Sequence, residues 1–181
     1  MKLPKLDQNA KVRPTDIIRR SGIEARKVDF KDIPVIDIGA ILGDSNSAKR
    51  EVATKVREAA TNVGFFYVKN HGVPQDVVET ARATAGRFYT LPEDIKCRYD
   101  VMKTKRHKGY VPVGGLSADP SIVDLQEGYE IGLELSDDDP DYQEGNALLG
   151  PNVWPEEMPE FQTDIYRYFE ESMQLGKRLY Q

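Results

Sequence analysis

Gly64-Phe65-Phe66-Tyr67-Val68-Lys69-Asn70-His71-Gly72-Val73-Pro74 is the densest apolar and aromatic run in the chain. Its opening residues are rich in aromatic and β-branched types, which suit a pleated, packed surface, and the stretch reads as a buried strand. Asn70-His71-Gly72 supplies turn residues that tolerate unusual backbone angles, and Pro74 opens the next helix. Immediately upstream, Ala48, Val52, Val56, Ala59 and Val63 recur at spacings of three and four, with Lys49, Arg50, Lys55, Arg57 and Glu58 on the other face. That pattern predicts an amphipathic helix capped by Ser47 or a neighbour and stopped at Gly64. Downstream, Val77, Val78, Ala81, Ala85 and Phe88 trace a second helical face, and Leu91-Pro92 restarts a shorter helix through Arg98. Further upstream, Ile33-Pro34-Val35-Ile36-Asp37-Ile38 fits the opening of a strand. Strand, helix, strand, helix, helix is an order shared by many α/β units, so periodicity alone does not choose a fold.

The second half is less regular. Lys103-Thr104-Lys105-Arg106-His107-Lys108 is a basic run that reads first as a solvated loop. An anion site is the alternative, because the run precedes the glycine-bracketed strand Gly109-Tyr110-Val111-Pro112-Val113-Gly114-Gly115. Asp124 to Gly132 alternates polar and apolar residues as a strand does. Asp137-Asp138-Asp139-Pro140-Asp141 lacks the glycine and closing glutamate of a calcium loop and reads as a solvated acidic loop. Gly150-Pro151-Asn152-Val153-Trp154-Pro155 is a rigid turn carrying the only tryptophan. Beyond it, Phe161, Ile165, Phe169, Ser172, Leu175 and Leu179 hold a helical stripe to Gln181 with no stop signal, so the chain is expected to end inside an element. Residues 1–31 are polar and without sustained periodicity and are expected to form an arm, with the folded region over 32–181.

With 181 residues, 39% hydrophobic and 30% charged, and a net charge of −5, the composition is that of an ordinary mildly acidic protein. It excludes a general nucleic-acid binder, whose footprint is a basic surface. No run approaches the roughly 20 apolar residues that span a bilayer, and no apolar signal core follows Met1-Lys2-Leu3-Pro4-Lys5. A cytoplasmic protein without a membrane partner is expected. Cys97 is the only cysteine, so neither an internal disulfide nor a multi-cysteine metal site can form. Its charged, helix-like context reads as an incidental small residue rather than a nucleophile.

Five segments in order carry a resemblance: Ile33-Pro34-Val35-Ile36-Asp37, Gly64-Phe65-Phe66-Tyr67-Val68 to Asn70-His71-Gly72-Val73-Pro74, Phe88-Tyr89-Thr90-Leu91-Pro92, Gly109-Tyr110-Val111-Pro112, and Gly150 to Pro155. Together they resemble the N-terminal region of iron(II) and 2-oxoglutarate-dependent oxygenases of the isopenicillin N synthase type. The resemblance implies an α+β chain, the N-terminal portion of a distorted double-stranded β-helix (jelly roll) with flanking helices, the barrel being incomplete here. It also implies Fe(II) and 2-oxoglutarate for the full-length protein, a small-molecule substrate, and release of succinate and CO₂. The family's iron is held by a His-x-Asp pair and a distant second histidine, a set that leaves coordination positions open for co-substrate and O₂.

That ligand set is not in this chain. His71 is followed by Gly72-Val73 and His107 by Lys108-Gly109, and there is no third histidine. The resemblance places the ligands C-terminal to this stretch and makes His71 a structural turn residue. It points instead to a substrate-facing wall formed by His107, Tyr110, Val111 and Glu130. Where penicillin-forming relatives hold a substrate carboxylate with arginine, this chain has His107 between Arg106 and Lys108, a cationic setting that suits an acidic group. The plainer readings are that Tyr110 packs in the core and Glu130 faces solvent. Two functions stay open: part of an oxygenase, or a truncated, non-catalytic homologue that acts as a binding module.

Overall fold

A computed structural model describes residues 33–104, 106–115, 125–146 and 148–180. The expected arm and the ends of two predicted elements, Asp124 and Gln181, lie outside the described residues. The chain divides into two compact units, the first ending at Asn70 and the second beginning at His71.

In the first unit, β1 (Val35–Asp37) leads through a 3-10 turn (Gly39–Leu42) into α1 (Asn46–Asn62), and the chain returns as β2 (Tyr67–Lys69). The strands pair in parallel, with Val35 opposite Tyr67 and Ile36 opposite Val68. A parallel pair needs a long crossover, which α1 supplies. Ser45 caps α1, its hydroxyl accepting from the Ala48 amide at 3.4 Å. Gly64 ends it at φ +88°, a left-handed conformation that costs glycine little. The predicted stripe is observed, with Val52 and Ala59 fully buried.

The burial expected of the aromatic strand is corrected. Phe65 is 68% and Tyr67 62% exposed, whereas Ile36 and Ile38 are buried. The reason is side-chain alternation on a two-stranded sheet. One face, carrying Ile36, packs on α1, and the opposite face, carrying Val35 and Tyr67, is open among the described residues. At the sheet's end Asp37 ties the strands together, its carboxylate accepting from Gly39 N at 3.0 Å and Asn70 Nδ2 at 2.7 Å. Asn70 adopts φ +56°, which places the turn as the sequence suggests.

The second unit holds α2 (Gln75–Tyr89), α3 (Glu93–Lys96), a 3-10 turn (Cys97–Tyr99), β3 (Gly109–Val111), β4 (Gly128–Glu130), α4 (Pro140–Gln143) and α5 (Pro159–Leu179). Helices α2 and α5 pack together, and β3 and β4 are antiparallel with Tyr110 opposite Tyr129. The core of this unit is aromatic. Phe88 lies edge-on to Tyr89, Tyr110 and Tyr129, with ring centres 5.0–5.8 Å away, and tilted against Phe161 at 5.1 Å. Such offset and edge contacts suit the ring quadrupole. The acidic stretch is not only a solvated loop, since Asp139 caps α4 by accepting from Asp141 N at 3.0 Å with Pro140 in the first turn. Mixed helix and strand are observed, with no closed barrel among the described residues.

Candidate functional site

The β3–β4 hairpin carries a cavity of about 220 Å³ lined by Val111, Pro112, Gly114, Gly115, Gln126, Glu127, Gly128 and Glu130. The hairpin is set from behind by the chain preceding it. Gly109 sits at φ +126°, and a Cβ there would lie 2.3 Å from the Tyr99 carbonyl oxygen. Only glycine allows that approach, which lets the Val101 amide donate to the Tyr110 carbonyl at 2.8 Å.

Of the four residues expected to face substrate, Val111 and Glu130 line the cavity. Tyr110 does not, because its side chain is fully enclosed in the core. Its hydroxyl donates to Glu127 Oε2 at 2.6 Å, and burial followed by that bond pushes its pKa up to about 12. His107 is exposed and absent from the cavity wall.

Sequence reasoning missed Lys96 and Glu127. Lys96 is 6% exposed, and its ammonium donates to Glu127 Oε2 at 2.6 Å and lies 3.1 Å from Glu93 Oε2. Burial alone would lower its pKa, but the bonds to Glu127 and Glu93 outweigh burial and raise it. The bonds from Lys96 and then Tyr110 hold the Glu127 carboxyl below the usual carboxylate range. A lysine three residues after a glutamate was the available signal, but nothing in the spacing indicated that it turns inward.

The basic run is not a solvated loop throughout, since two of its cations, Arg106 and Lys108, are engaged by backbone carbonyls. Lys108 is buried, donating to the Leu133 carbonyl at 2.8 Å and the Gly150 carbonyl at 2.5 Å. Arg106 donates to the Pro151 carbonyl at 2.8 Å and lies over the Tyr142 ring at 5.5 Å. These cations join the Gly150–Pro155 turn to the chain entering β3 through carbonyl oxygens, and Arg106 also lies 4.0 Å from Asp137 Oδ1. Glu134 adds to this join, accepting from Asn152 N, Asn152 Nδ2 and Trp154 Nε1 at 2.8–3.1 Å.

No three His, Cys, Asp or Glu side chains are grouped to hold a metal ion among the described residues. His71 Nδ1 accepts from the Val73 amide at 3.1 Å, which fits a turn role, and His107 belongs to no group of three such residues among the described ones. The described residues therefore do not fit the iron centre implied by the resemblance. Cys97 is half-buried, and burial followed by Glu93 pushes its thiol pKa up, away from a reactive thiolate. No helix among the described residues is long and apolar enough to cross a membrane.

Comparison with known proteins places this geometry in context. The family described as "non-haem dioxygenase in morphine synthesis N-terminal" matches residues 33–157. A 2-oxoglutarate-dependent dioxygenase of Didymella fabae is 34% identical over 149 residues, covering 79% of this chain and 45% of the relative. One from Aspergillus niger is 33% identical, covering 82% and 46%. Among solved structures, a full-length Neurospora crassa protein in complex with alpha-KG superposes with a TM-score of 0.64 at 27% identity, covering 81% of this chain and 44% of that one. The same protein is also known in complex with alpha-KG and thymine. The chain thus spans about half the length of the curated relatives it matches.

Proposed function

The chain belongs to the N-terminal family of non-haem dioxygenases, and from that premise we propose that it is the N-terminal portion of an iron(II) and 2-oxoglutarate-dependent oxygenase. The parent protein oxidises a small organic substrate with O₂. One oxygen atom goes to the substrate and the other to 2-oxoglutarate, which leaves as succinate and CO₂. The observation that carries this reading is the match over residues 33–157, together with the alpha-KG bound in a structural relative. Fe(II) and 2-oxoglutarate are assigned to residues outside these 181, and the chain alone is inactive. Within it, the β3–β4 cavity is the substrate-side wall, with Val111 and Glu130 lining it and Tyr110 supporting it from the core.

A binding module without iron chemistry is the second reading, which follows from the residues present, since neither His71 nor His107 begins a His-x-Asp pair. Intact mass and sequence of the native polypeptide separate the two. The oxygenase reading expects a protein roughly twice this length with a His-x-Asp and a further histidine downstream. A native chain of 20.5 kDa without them supports the binding module.

A further inference from the structure

We draw no further inference here: the strongest candidate, the face of the β1–β2 sheet that carries Val35 and Tyr67, is an apolar patch open among the described residues, and nothing in the structure shows what covers it.

Discussion

Replacing Phe88 with alanine should remove the centre of the second unit. The ring is fully enclosed and touches four other aromatic rings, those of Tyr89, Tyr110, Tyr129 and Phe161. Truncating a buried phenylalanine costs about 3–5 kcal/mol through lost transfer energy and the cavity left behind. The ring contacts, each worth about 0.5–1.5 kcal/mol beyond area, place Phe88→Ala toward the upper end of that range. Small domains hold roughly 5–15 kcal/mol in all, so the loss is a large share of the total. Met102→Ala in the same unit is the matched control, since Met102 is largely exposed and its loss should stay within about 0.5 kcal/mol. Urea unfolding followed by the fluorescence of Trp154, whose ring centre lies 6.3 Å from that of Phe161, reports both. Equal shifts in the two variants, or a larger one in Met102→Ala, would refute the placement of the core.

Three further outcomes are expected. Gly109→Ala forces a side chain against the Tyr99 carbonyl at a positive φ, and it should lower stability by at least about 1–3 kcal/mol in the same assay. Thr84→Val removes the buried hydroxyl that donates to Asp164 Oδ2 at 2.6 Å between α2 and α5; it should cost about 1–3 kcal/mol, and a wild-type urea midpoint would count against that bond. Glu127 has a folded pKa below its ordinary value of 4.5. Its contribution is therefore complete above that value and lost as pH falls through the folded one, because below 4.5 the unfolded chain binds the proton more readily. The loss in urea midpoint between about pH 6 and about pH 3 should accordingly be smaller in Glu127→Gln than in wild type.

Periodic elements were legible from the sequence wherever one stripe of side chains decides them. Val52 and Ala59 in α1, and Val77, Ala81 and Phe88 in α2, are buried as their spacing requires. The Asn70-His71-Gly72 turn was legible because its backbone angles need those residue types. Burial of Phe65 and Tyr67 was misread, since composition suggests a packed strand without revealing which face of a two-stranded sheet is covered. Helix α4 was missed because the run of acidic residues obscured an Asp-Pro cap. The site was less legible than the fold. Val111 and Glu130 came from the family resemblance alone, whereas Lys96, Glu127 and Lys108 are charged residues that turn inward for partners far along the chain, and no local pattern marks such partners. The iron centre has no counterpart among the described residues, so its assignment rests on the family alone.

The most direct test of the central claim is succinate formation from 2-oxoglutarate, measured side by side for the full-length protein and the 181-residue chain with Fe(II), ascorbate, O₂ and a panel of small-molecule substrates. The account predicts Fe(II)-dependent succinate release by the full-length protein and none by the chain alone. Succinate release by the chain, or none by the full-length protein on any substrate, would contradict it.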